Sequence, residues 1–169
     1  MRTHQQMPEL AMGGAKAIGA ALEKAVAAGQ IKEAELFDKN YRPIPNTNPQ
    51  KFSSAFDSLT DRLFPPIQEA LLQQSSAIVI AAAADTNGYL PTHNKHCSQP
   101  LTGDYAKDFV GNRSKRIFDD PASKRSSTHQ QPYLMQTYRR DTGEVMHDIS
   151  SPIYVNGRHW GGFRMAYRA

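Results

Sequence analysis

His93-Asn94-Lys95-His96-Cys97 is the densest reactive stretch of the chain. Imidazole and thiolate are good ligands for zinc, iron or haem iron. His93 and His96 stand three residues apart, so one helical turn would present both rings on one face. Cys97 follows directly, and a bent loop would gather the same His93, His96 and Cys97 set. His129, His147 or His159 is available as a fourth ligand. The covalent haem signature Cys-x-x-Cys-His is absent. Two readings therefore stand side by side: a metal or haem site, or a polar loop whose His93 hydrogen-bonds a pocket wall.

Other reactive residues are spread along strand-like segments. His147 and Asp148 are neighbours, and strand neighbours point to opposite faces, so they form no dyad. The same alternation separates His159 from Trp160, and Arg139 from Arg140. Only one of those two arginines can face a pocket, where a guanidinium would grip a carboxylate or phosphate with two hydrogen bonds. Glu144 and Asp148 share a strand face but sit four residues apart, too far at about 3.3 Å per residue for a close carboxylate pair. No serine lies in a nucleophile-elbow context. No glycine-rich phosphate loop is present. The expectation is a protein that is not an enzyme.

The elements that must position these groups come next. The chain has 169 residues, a net charge of +4 and 39% hydrophobic residues. That length suits one domain with its own core. The basic excess lies mostly in the C-terminal half, scattered among strands, with no nucleic-acid-binding motif. No apolar run approaches the roughly 18 residues of a membrane span, so no membrane insertion is expected. The single Cys97 excludes an intramolecular disulfide. A polar N-terminus without a secretion signal favours a cytoplasmic location, with a periplasmic sensor region of a membrane receptor as the alternative.

Residues 9–28 read as a helix, with Ile18, Leu22 and Val26 at i, i+4, i+8 and small residues beside them. Gly29 is placed to stop it. Its small-residue face would admit either a partner helix or its own domain. Residues 31–37 read as a second short helix. Asn48-Pro49 is expected to open a third, and Pro65-Pro66 to break it. Residues 77–84 form an apolar strand, 85–88 a turn and 89–92 a second strand, giving a hairpin. A polar section, 93–131, holds one expected helix at 114–119. Three strands close the chain at 132–140, 144–155 and 158–168. They are joined by turns at Asp141-Thr142-Gly143 and Asn156-Gly157. The class is α+β: a five-stranded antiparallel sheet with N-terminal helices and a long insert, a PAS-like plan whose insert and sheet enclose a small-ligand pocket.

Specific residues carry a resemblance. Asp85-Thr86-Asn87-Gly88-Tyr89-Leu90-Pro91-Thr92-His93-Asn94 resembles the D-x-x-G-x-x-x-x-H first hairpin of Cache-type sensor domains. Residues 111–120, beginning Gly111-Asn112-Arg113, are similar to the segment that closes over their pocket. Residues 136–145 and the run 152–161, with Gly157-Arg158-His159-Trp160-Gly161, look like their last three strands. The run from 36 to 167 resembles a sensor region of bacterial methyl-accepting chemotaxis proteins. That resemblance implies a PAS/Cache-like fold, ligand or redox sensing, and output to a chemoreceptor signalling module by a homodimer. It assigns residues 1–30 to a signalling or dimerisation helix and 31–169 to the sensor domain. Tyr89, His93, Arg116, Tyr138, Arg139 and Trp160 are the expected ligand-binding residues. The cofactor, if any, is unidentified. The coiled-coil signalling hairpin of such receptors is not part of this sequence.

Overall fold

The computed structural model describes residues 2–139 and 143–169. Arg140 and the Asp141-Thr142 part of the expected turn lie outside them. In chain order the elements are α1 (Arg2–Ala27), α2 (Glu33–Leu36), β1 (Arg42–Pro43), β2 (Phe52–Ser53), α3 (Asp57–Leu72) and β3 (Ile78–Asp85). There follow β4 (Tyr89–Leu90), a 3-10 turn (Lys95–Cys97), α4 (Tyr105–Gly111), β5 (Arg116–Ile117) and α5 (Pro121–Thr128). The chain closes with β6 (Leu134–Arg139), β7 (Val145–Val155) and β8 (Arg158–Arg168).

The main sheet is antiparallel in the order β3-β8-β7-β6. Asn156 and Gly157 turn β7 into β8 with φ of 50° and 80°, as the Asn-Gly pair requires. One sheet face carries Ala81, Ala83, Ile149, Ile153, Phe163 and Met165, all buried. Against it lie α1 and α3. In α1 the buried positions are Met7, Ala11, Ala15, Ile18, Leu22 and Ala25, a spacing of three and four that makes a single stripe. The small residues of that helix serve its own sheet. A Cβ on Gly14 would sit 2.6 Å from the Phe163 ring, and one on Gly19 2.6 Å from the Tyr154 carbonyl oxygen. Residues 1–30 and 31–169 thus share one core. Gly29, at φ +73°, ends the helix as expected.

The third helix departs from expectation at both ends. Asn48-Pro49 lies in a turn between β1 and β2, and the helix opens only at Asp57. There the Asp57 carboxylate accepts from the Ser54 N–H at 2.9 Å and from the Ser54 hydroxyl at 2.6 Å, which holds the entry to the helix. The helix also continues through Pro65 and Pro66 to Leu72. Each proline forfeits one i→i−4 bond. The carbonyls so released belong to exposed Asp61 and Arg62, where water can satisfy them. Phe64 and Gln68, buried on either side, hold the two halves in line.

Among the described residues, a fifth strand does not join the sheet. β4 pairs with β5 instead, Tyr89 opposite Ile117 and Leu90 opposite Arg116, so the helix expected at 114–119 is a turn and a strand. Two side-chain amides take the fifth strand's place along the outer edge of β3. Asn94 Oδ1 accepts from Ala81 N–H at 2.9 Å and Asn94 Nδ2 donates to the Ala81 carbonyl at 2.9 Å. Gln68 accepts from Ala83 N–H at 2.9 Å and donates to the Thr92 carbonyl at 3.0 Å. An alternating apolar pattern cannot announce a strand replaced by side chains. Asn94→Ala orphans a buried N–H and a buried carbonyl together, so urea unfolding should show a loss of about 3 kcal/mol. A loss below about 1 kcal/mol would mean that water replaces the amide there.

Candidate functional site

The other face of the sheet is built from small side chains. Ile80, Ala82 and Ala84 of β3 alternate onto it, as do Gly162, Arg164 and Ala166 of β8, in register as Ile80–Ala166, Ala82–Arg164 and Ala84–Gly162. The insert covers this face without filling it. A hollow of about 70 Å³ remains, walled by Ile80, Ala82, Leu90, His93, Arg113, Phe118, Tyr138, Arg164 and Ala166. It continues under α5 into a smaller hollow of about 20 Å³ beside Ser123, Ser126 and Ser127. Toward solvent it shares Ile80, Arg113 and Tyr138 with an open cleft of about 480 Å³, which Leu72, Ile78, Val110, Cys97 and Arg168 also line.

Glycines set the roof height. A Cβ on Gly162 would meet the Ser126 carbonyl oxygen at 2.2 Å, so α5 rests directly on the sheet there. Gly88 has φ +79° and a Cβ on it would lie 2.1 Å from the Phe118 carbonyl oxygen. The turn is closed by Asp85, whose Oδ1 accepts from Asn87 N–H at 2.9 Å and Tyr89 N–H at 3.0 Å. Phe118 N–H then donates to the Gly88 carbonyl at 2.9 Å, which holds Phe118 over the hollow.

Three polar groups face the hollow from fixed positions. His93 is buried, and its Nδ1 accepts from Asn94 N–H at 2.7 Å. That bond puts the proton of the neutral ring on Nε2, making it a donor. Arg113 lies over the Phe118 ring at 5.2 Å. Arg164 donates to Asp148 through Nε at 2.5 Å and to the Ser123 hydroxyl at 2.8 Å, and its terminal nitrogen also pairs with Asp148. Tyr138 stands half exposed at the rim. Among the described residues, none that lines the hollow or its mouth is acidic.

Burial, reinforced by the charges of Arg113, His96, Arg116 and Arg164, pushes the His93 ring down to about 3. The unfolded chain binds that proton near pH 6.5, the folded chain only near pH 3. The stability of the neutral ring is therefore complete above pH 6.5 and is lost as the pH falls through that window, at about 1.4 kcal/mol per unit. Between pH 6.5 and 5 the His93 contribution should fall by about 2 kcal/mol. Urea titrations of wild type and His93→Gln measure it: the variant should show the shallower pH dependence, and equal slopes would refute a ring kept neutral.

Of the expected ligand residues, His93 and Tyr138 line the hollow and the others do not. Tyr89 is wholly buried and donates its hydroxyl to Asp57 at 2.7 Å. Trp160 is buried on the helix face, its Nε1–H donating to the Leu36 carbonyl at 2.9 Å. Arg116 is stacked between Phe109 and Phe118 and donates to the Phe109 carbonyl at 3.0 Å, so it braces the roof from behind. Arg139 is exposed and donates to the Gly143 carbonyl at 3.1 Å. Arg164 and Arg113 also line the hollow, and the reading of the sequence left them out. The pattern Gly162-x-Arg164-x-Ala166 across from Ala82 and Ala84 held the signal, since small neighbours at alternate positions leave room around one long side chain.

The His93, His96 and Cys97 set does not converge. His93 turns inward and Cys97 is buried, while His96 is exposed. Among the described residues no group of three His, Cys, Asp or Glu stands close enough to hold a metal ion. The proposed fourth ligands bond locally: His129 to Ser150 at 2.9 Å, His147 to Thr137 at 3.0 Å and His159 to the Gly161 carbonyl at 2.9 Å.

Comparison with protein-family models, curated proteins and solved structures found no match. Among the described residues no helix is long and apolar enough to cross a membrane.

Proposed function

We propose that this chain is a small-molecule sensor domain of the chemoreceptor type. The observation that carries the reading is the hollow between sheet and insert, roofed by Phe118 and α5 and walled by His93, Arg113 and Arg164. A sheet with helices on one face and a partly hollow insert on the other supports this reading, while the four-stranded main sheet lacks the fifth strand of the PAS-like plan. Binding pockets are concave and mostly apolar, with a few fixed polar groups, and this one has that composition.

The transmission route follows from the packing. Arg164 of β8 lines the hollow and is paired with Asp148 of β7, and the opposite face of those strands supports α1. A guest that binds one packing of the insert more tightly than another shifts the population toward it. The change reaches α1 where Gly14 meets Phe163 and Gly19 meets Tyr154. Output to a signalling module, through a homodimer contact of α1, is the corresponding partner proposal.

A thermal-shift screen of the purified chain, with native mass spectrometry for copurifying compounds, tests this. At least one compound should stabilise the protein, and Ala82→Leu, which fills the hollow, should abolish the effect while the fold persists. Binding that is indifferent to Ala82→Leu would overturn the reading.

A further inference from the structure

The two edges of the main sheet are finished differently. Along β3 the outward backbone groups of Ala81 and Ala83 are taken by the Asn94 and Gln68 amides. Along β6 the outward groups are identified by a row across the sheet: Ala81, Met165, Ile149 and Met135 stand opposite one another in turn. Antiparallel pairs alternate between bonded and non-bonded. Ala81 turns its N–H and carbonyl away from β8, so Met165 exchanges bonds with Ile149, and Met135 is left facing out. The Ala169 N–H, which donates to the Val145 carbonyl at 3.4 Å, follows the same alternation at the start of β7. Met135, Thr137 and Arg139 therefore direct their N–H and carbonyl groups away from β7. Among the described residues, no strand or backbone group pairs with them.

Such an edge is a template for another strand, and the usual guards are missing from it. Residues 134–139 contain no proline, no lysine and no bulge, and Arg139 is their one charge. Thr137, Tyr138 and Arg139 are exposed. Tyr133, just before the strand, and Tyr138 leave 43% and 41% of their surface in water. The strand also reads as its own partner. Only outward-facing residues can exchange bonds, so a two-fold axis must bring odd positions opposite odd ones. Centred on Gln136, an antiparallel second copy sets Met135 opposite Thr137, Leu134 opposite Tyr138 and Tyr133 opposite Arg139. Leucine then covers one tyrosine ring and the arginine stem the other, while the guanidinium keeps its bond to the Gly143 carbonyl. The two Arg139 charges stand at opposite ends of the pair. Moving the axis to Thr137 would set Tyr138 against Gln136 and lose the leucine cover. The match to a second copy is thus carried by the strand itself, and nothing along this edge selects a foreign sequence.

We propose that two copies of this chain pair β6 with β6, antiparallel about Gln136, and join their main sheets into one. Gln136 keeps its side-chain bonds to α5, through Arg125, Ala122 and Ser126. The axis runs perpendicular to the sheet, so both insert-covered faces lie on one side and both α1 helices on the other. This contact is separate from one through α1 and needs no guest in the hollow. One strand pair is a small interface, so the dimer is weak, with a Kd of about 10 μM to 1 mM.

The test uses the full 169-residue chain. Sedimentation equilibrium between about 10 μM and 1 mM should show monomer passing into dimer. Amide hydrogen exchange by NMR over the same range should slow at Met135, Thr137 and Arg139 by roughly fivefold or more, while Gln136 and Tyr138, bonded to β7, exchange at one rate throughout. Thr137→Pro removes an outward N–H and the exposed hydroxyl contact with His147, but no ladder bond. It should weaken association by roughly tenfold or more. Tyr138→Lys, at an exposed position, should weaken it as well and carries the test if the proline variant folds poorly by circular dichroism. A chain that stays monomeric at the highest concentration would overturn the proposal. So would a dimer whose odd-numbered β6 amides exchange as fast as in the monomer, or one that both variants leave intact, which would place the contact elsewhere, as on α1. A monomeric chain that takes an unrelated extended peptide along β6 would also overturn it, by giving that edge a different occupant.

Discussion

Arg164→Met should destabilise the protein by about 3–5 kcal/mol, the largest effect expected from any single charge in the sheet. Asp148 is 1% exposed and pairs through one oxygen with two guanidinium nitrogens of Arg164. Its other oxygen has no hydrogen-bond partner. Burial pushes the Asp148 carboxyl up, and Arg164 pulls it back toward its ordinary range. Without the guanidinium the carboxylate is stranded in a low-dielectric site, which costs far more than the pair contributes when intact. The double variant Asp148→Leu with Arg164→Met removes both charges and should be more stable than the single one by about 2 kcal/mol or more. Urea unfolding at pH 7 of the four proteins in the cycle decides it. An Arg164→Met loss below 1 kcal/mol would mean that the pair behaves as a solvated one.

Trp160→Ala should cost about 3–5 kcal/mol without touching the hollow. The ring is fully buried, edge-on to Phe56 at 5.6 Å and to Phe64 at 6.0 Å. Its removal leaves a cavity where α3 and the chain end of α2 meet the sheet, and orphans the Leu36 carbonyl. Trp160→Phe keeps most of the apolar volume and should cost about 1–2 kcal/mol, chiefly for that carbonyl. Because Trp160 lies on the opposite sheet face from His93, Trp160→Phe should leave the affinity of any compound found in the thermal-shift screen within twofold. A tenfold change would return Trp160 to the list of ligand contacts.

The four strands of the main sheet were legible because each left a local mark, whereas the short β1, β2 and β5 were not. β7 and β8 were readable from alternation and from Asn156-Gly157, whose conformational demand is written in two residues. The α1 stripe was plain at Ile18 and Leu22, while the helix opens at Arg2, seven residues before the expected start. What the chain did not announce was decided by partners distant in sequence. Nothing around Asn94 or Gln68 signals that their amides stand in for a strand along β3. Pro65 and Pro66 read as a break because the local rule counts lost bonds, not the burial of Phe64 and Gln68 that outweighs them. At the candidate site, His93 and Tyr138 were found from the turn motif and the strand pattern. Trp160 and Tyr89 were misplaced because which sheet face is hollow depends on where the helices dock, a fact that no strand states about itself.

The seating of α1 has a consequence for how any message could leave this fold. With Gly14 against an aromatic ring and Gly19 against a backbone oxygen, the helix has no slack to lift away. Peeling it off would bare the apolar floor of the sheet, and a piece trimmed to start at residue 31 would clump before it could report anything. Traffic between the two faces must then take the form of a slide or tilt of an ångström or so, felt at the far end of a rod that never lets go.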